Sequence, residues 1–171
     1  LSGFWYVRGP IPEGRFWFAR AIAPDGTTPP EVHLAALMTK GIVDHYGGHD
    51  ADAIATLERG LAMEIDPPHH WWRGNCHMML GITRTGLGEY ARARSHFAAG
   101  ISEYQHLSHP INIAMCTFYL GVIDWCEGDP HGGIPLCEAG LDTLRDHGSP
   151  WGMADGLSYL GLMACDIGDF P

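Results

Sequence analysis

Leu80–Ile101 reads LGITRTGLGEYARARSHFAAGI, two runs of helical character joined at Gly86–Gly88. The same phrase stands forty residues earlier, Lys40–Leu61, as KGIVDHYGGHDADAIATLERGL, and forty later, Leu120–Leu141, as LGVIDWCEGDPHGGIPLCEAGL. A further copy opens at Leu160 with LGLMACDIGDF. Three glycine columns share this register: Gly41, Gly81, Gly121 and Gly161; Gly48, Gly88, Gly128 and Gly168; Gly60, Gly100 and Gly140. Unselected placement of 23 glycines would not phase them so. The chain is a repeat array.

Apolar residues at spacings of three and four make each run helical: Ile54, Leu57 and Leu61 in one copy, Tyr90, Phe97 and Ile101 in the next. The spacing predicts first helices over 31–46, 71–86, 111–126 and 151–167. Second helices are predicted over 50–64, 90–106 and 130–146. Residues 24–30, APDGTTPP with its flanking alanine, form a loop by local signals. Gly81 and its equivalents lie inside helices, where glycine costs about 0.5–1 kcal/mol relative to alanine. Holding that cost at one slot implies close approach of a neighbouring helix. Ala53, Ala93 and Gly133 supply the matching small slot, with Leu57 or Phe97 beside it. Gly48, Gly88 and Gly128 fit left-handed caps. Pro135, five residues beyond Pro130, predicts a second helix that starts late, near Gly133, or kinks.

Composition places the chain among globular proteins, with 46% apolar and 18% charged residues. No apolar run is long enough for a membrane helix, and no signal-peptide pattern opens the sequence. Twenty acidic against ten basic residues give a net charge of −10, which disfavours direct nucleic-acid binding by this segment. The five cysteines (76, 116, 126, 137 and 165) form no CxxC pair, which suits reduced thiols in a cytoplasmic protein. The sequence does not begin with Met, and it starts and stops inside repeats, so it reads as a segment of a larger protein.

Leu80, Gly81, Gly88, Tyr90, Ala93, Phe97 and Gly100, with their counterparts, resemble the tetratricopeptide repeat. That family's period is about 34 residues, so a period of 40 is an extended form. The resemblance implies an all-α, right-handed superhelical solenoid of antiparallel helix pairs, forming one domain over 1–171. Within it 1–23 is a partial repeat, 31–70, 71–110 and 111–150 are full repeats, and 151–171 is truncated. A narrower likeness begins at FWYVRGPIPEGRFWFARAIA, Phe4–Ala23, and at SPWGMADGLSYLG, Ser149–Gly161. These resemble the helical-repeat region of bacterial LuxR-type and related signal-transducing ATPase regulators. Trp71 and Trp151 fill the Trp slot, and Ile111 departs from it. The likeness implies an ATPase upstream and a DNA-binding helix-turn-helix downstream; a GxxxxGK[ST] loop is not in this sequence.

Eleven histidines raise the question of chemistry. His69, His70 and His77 lack the four-residue spacing of helical zinc ligands, and His106 and His109 suit a helix end. Ser95 beside His96, and Cys76 beside His77, are neighbours that point apart on a helix. Asp124, Glu127 and Asp129 read as solvated caps. No enzyme, metal or cofactor is expected.

In a stack of helix pairs the first helices line the concave side. The slots facing it run Ala35, Met38, Ile42, His45; Asn75, Met78, Ile82, Thr85; Met115, Phe118, Val122, Trp125; and Asp155, Ser158, Leu162, Cys165. Met38, His45, Asn75, Met78, Met115, Phe118, Trp125 and Asp155 are the candidate contacts for a protein, a peptide or a small effector. The same apolar stripe also describes ordinary core. Two readings follow: an effector- or partner-sensing array within a bacterial transcriptional regulator, or a freestanding scaffold with a peptide groove. The truncated last copy is expected to self-associate or fray.

Overall fold

The computed structural model describes residues 9–22, 28–65 and 69–168, the side chain of Trp151 excepted. Among them are eight α-helices and no strand: α1 Ile11–Ala21, α2 Pro30–Tyr46, α3 Asp50–Leu61, α4 His70–Gly86, α5 Tyr90–His106, α6 Pro110–Cys126, α7 Pro130–Asp146 and α8 Pro150–Ile167. The chain is all-α. The predicted loop over 24–30 falls mostly outside the described residues, as do 1–8 of the first partial repeat.

Turn chemistry sets the spacing. Gly48, Gly88 and Gly128 adopt φ of 73°, 74° and 93°, the left-handed region where a side chain would clash. At each the two-bond Schellman closure forms: Glu89 N–H donates to Arg84 O at 2.9 Å and Gly88 N–H to Thr85 O at 3.0 Å. The second helices α5 and α7 end the same way, whereas α3 is capped by Ala62 with φ −75°. Gly148 has φ 63°, and Ser108, a non-glycine, holds φ 50° with His109 N–H donating to Tyr104 O at 3.1 Å. From His70 onward a helix therefore starts every 20 residues. Proline occupies the first turn of α2, α6, α7 and α8, where its missing N–H is not needed.

Two predicted boundaries differ. α3 ends at Leu61 rather than 64, with Ala62 as its C-cap. α7 does not start late: it begins at Pro130, with the Asp129 carboxylate accepting from Gly132 N–H at 2.9 Å, and Pro135 lies within it. Pro135 and His131, whose carbonyl loses its partner, are both exposed, so water can take the freed bond.

Contacts follow chain order. Each helix touches the next, and the first helices also touch in succession, α2 with α4, α4 with α6, and α6 with α8. Among the described residues no other helix pair meets. The glycine column explains the fit within each hairpin. A methyl group on Gly81 would sit 2.6 Å from the Phe97 ring, one on Gly121 2.8 Å from Cys137 Sγ, and one on Gly41 would strike Leu57. Two apolar clusters result, one around Leu34, Leu57 and Leu80, the other around Phe97, Tyr104, Phe118 and Leu144.

Ion pairs bind α1, α3 and α5 each to the first helix that follows. Arg15 of α1 meets the fully buried Asp44 of α2 at 2.7 Å, Glu58 of α3 meets Arg84 of α4 at 2.6 Å, and Arg94 of α5 meets Asp124 of α6 at 2.6 Å. The sign at the first-helix slot alternates: Asp44, Arg84, Asp124. Lys40 and Glu89 complete the first two clusters. No helix among the described residues is long and apolar enough to cross a membrane.

Candidate functional site

Because the first helices succeed one another, their shared face is a groove. Between α2, α4, α6 and α8 it deepens into a cavity of about 180 Å³. Met78, Ile82 and Met115 form apolar wall, and Asn75, Asp155 and Tyr119 add polar atoms. Tyr119 is almost fully buried and donates from Oη to Asp155 Oδ2 at 2.7 Å. Burial first, and then the Asp155 carboxylate, push the phenol well above its usual pKa, so it stays a donor. Asn75 Nδ2 donates to Trp71 O at 2.7 Å, which fixes the amide at the rim. The volume is below the 300–1,000 Å³ of ordinary small-molecule sites. It suits one side chain of a peptide, or one arm of an effector, rather than a whole cofactor.

Four of the eight expected contacts come together here: Asn75, Met78, Met115 and Asp155. Met38 and Phe118 do not. They are 4% and 1% exposed, Phe118 against Tyr119 and Tyr159, and they belong to the core. A first helix in mid-array has neighbours on several sides, so an apolar slot there is covered from behind. His45 and Trp125 stand near the carboxyl ends of α2 and α6. Thr83 Oγ1 and Asp50 lie 3.1 and 3.3 Å from His45 Nδ1, and Trp125 Nε1 donates to Asp166 at 2.8 Å. Both tie helices together rather than line the cavity. Tyr119, the residue that orients Asp155, was not among the expected contacts. Its signal was present: it lies four residues after Met115, on the same helical stripe.

Other polar clusters are structural in geometry. Glu103 is shared by His70 Nδ1 at 2.7 Å and Arg73 Nε at 3.0 Å, beside an open hollow of about 680 Å³. Burial alone would raise the Glu103 pKa; the bonds from His70 and Arg73 outweigh it and hold the carboxyl below its usual range. His77 and His96, on α4 and α5, face each other at 3.1 Å between Nδ1 atoms. Burial, with a smaller push from His96, lowers His77 to about 4; burial and then Arg84 lower His96. Both rings are neutral at pH 7, one donating and one accepting. Cys76, Cys116 and Cys137 are buried, and burial pushes each thiol up to about 12. Among the described residues no group of three or more His, Cys, Asp and Glu is placed to hold a metal ion.

No known family model matches the chain, and no curated protein is significantly similar to it.

Proposed function

We propose that this chain is a non-catalytic binding module, a tetratricopeptide-like right-handed solenoid whose first-helix groove receives a partner. The observation that carries this reading is the cavity where Met78, Ile82 and Met115 meet the Tyr119–Asp155 pair. Flexible thioethers adapt to a large apolar side chain, and the half-buried carboxylate favours a cationic or hydrogen-bond-donating group beside it. The chain-ordered helix contacts, the 40-residue glycine columns and the shared turns support the solenoid.

The phrase at Phe4–Ala23 and the Trp151–Gly152 step support a setting in a cytoplasmic bacterial signal-transducing regulator. There the groove would sense an effector or a neighbouring domain and bias a transcriptional switch. A gene in which these repeats adjoin no ATPase would remove that setting while leaving the groove intact.

Peptide selection on the immobilised chain tests the groove. Selected sequences should pair a large apolar residue with Lys or Arg. They should bind Met78→Glu and Asp155→Asn at least about tenfold more weakly, or about 1.4 kcal/mol, with helicity unchanged. Ligands that bind both variants as tightly as the parent would refute the site.

A further inference from the structure

The cavity between α2, α4, α6 and α8 is lined by a single charge. Among the described residues around it Asp155 is the one ionic group, and it forms no ion pair with a cationic side chain. Elsewhere the buried or half-buried carboxylates Asp44, Glu103 and Asp124 each meet an arginine.

The polar atoms of the lining are turned to accept. Asn75 uses Nδ2 on Trp71 O, which leaves its amide oxygen as the open end. Asn112, 9% exposed, adds a second amide. Asp155 Oδ2 already takes the hydrogen bond from Tyr119 Oη at 2.7 Å, so Oδ1 is the oxygen without a donor among the described residues. Ile42, Met78, Ile82 and Met115 supply apolar wall.

We propose, resting on the groove reading above, that this cavity is a pocket for one unmodified lysine side chain of a partner peptide. An ammonium brings three donors and no acceptor, the complement of Asp155 Oδ1 and the amide oxygens. Its methylene stem lies along the flexible Met78 and Met115 side chains. An arginine fork seeks both oxygens of a carboxylate at once, and Tyr119 holds one of them. Tyr119 thereby sets lysine above arginine. The net charge of −10 draws a cation toward the chain. Acetylation of the lysine would remove its charge and two of its three donors, and so close the pocket to it.

The probe is an acetyl- and amide-capped peptide Gly-Phe-Lys-Phe-Gly, in which lysine is the only charge, titrated into the intact chain by calorimetry at pH 7. It should bind saturably. The same peptide should bind at least about tenfold more weakly with arginine, with acetyl-lysine, or with trimethyl-lysine, which keeps the charge and loses every donor. Asp155→Asn should weaken the lysine peptide at least about tenfold and leave the acetyl-lysine peptide unchanged. Tyr119→Phe, which frees Oδ2, should bring arginine within about threefold of lysine; an unchanged preference would overturn the role given to Tyr119. Met115→Lys places an ammonium in the pocket from within. Equal binding of the lysine and arginine peptides, both weakened by Met115→Lys, would overturn the lysine assignment and leave the groove standing. No binding of any peptide, or binding by Met115→Lys as tight as by the parent, would overturn both. Pentylamine binding as tightly as the lysine peptide would give the pocket to a small amine and overturn the peptide.

Discussion

Replacing Gly81 and Gly161 by alanine is one chemical change at one register, and the two should move stability in opposite directions. In both helices the added methyl relieves the backbone entropy of glycine, worth about 0.8–1 kcal/mol. At Gly161 that gain stands alone, because the space is open. At Gly81 the methyl would come 2.6 Å from the Phe97 ring, which is held with no exposed surface. Overpacking of this kind costs about 1–3 kcal/mol, so the net change is a loss of up to about 2 kcal/mol. At about 2–4 °C per kcal/mol for a chain of this size, Gly161→Ala should melt a few degrees higher and Gly81→Ala a few lower. Far-ultraviolet circular dichroism melts of the two variants beside the parent decide it. A rise for both would mean that the hairpin seam is loose and that the glycine column has no packing cause. A fall for both would mean that Gly161 already has a neighbour.

Phe118→Ala should lose about 3–5 kcal/mol in denaturant unfolding, because it empties core rather than groove; Met115→Ala, half-buried at the cavity, should lose less. Acid should weaken the α4–α5 seam. With His77 held at about 4 in the folded chain against about 6.5 when unfolded, the unfolded state binds more protons in that window. Stability is then full above about pH 6.5 and falls toward pH 4, by about 2 kcal/mol once solvent screening of the half-buried ring is allowed for. His77→Phe should flatten the slope, while Glu103 and His96 nearby still titrate. A slope unchanged in that variant would refute the assignment. With a thiol reagent at neutral pH, Cys126 and Cys165 should react at once and Cys76, Cys116 and Cys137 only on unfolding; five fast thiols would contradict the core.

Helix type, order and turn position were legible because local chemistry specifies them. Glycine at 48, 88 and 128 can hold φ that other residues avoid, and proline at 30, 110, 130 and 150 suits a first turn. The 20-residue beat was harder to see. At 108 its turn residue is serine, which carries no such signature. Periodicity also locates an apolar stripe without saying how many neighbours cover it, so Met38 and Phe118 resembled groove residues although they lie beneath it. The His77–His96 pair depends on a crossing between two helices, and pairing by chain adjacency could only set His77 beside Cys76.

The alternating charge at 44, 84 and 124 limits how such a chain can be rebuilt. Excising residues 70–109 would rejoin hairpins of matching shape, yet it would bring Glu58 toward Asp124, like against like. Removing residues 30–109 together would instead bring Arg15 toward Asp124, opposite charges at the seam. Across the three charged seams the array resists slippage by one unit and accepts it by two, and the restriction ends at α8, where the slot holds Ala164.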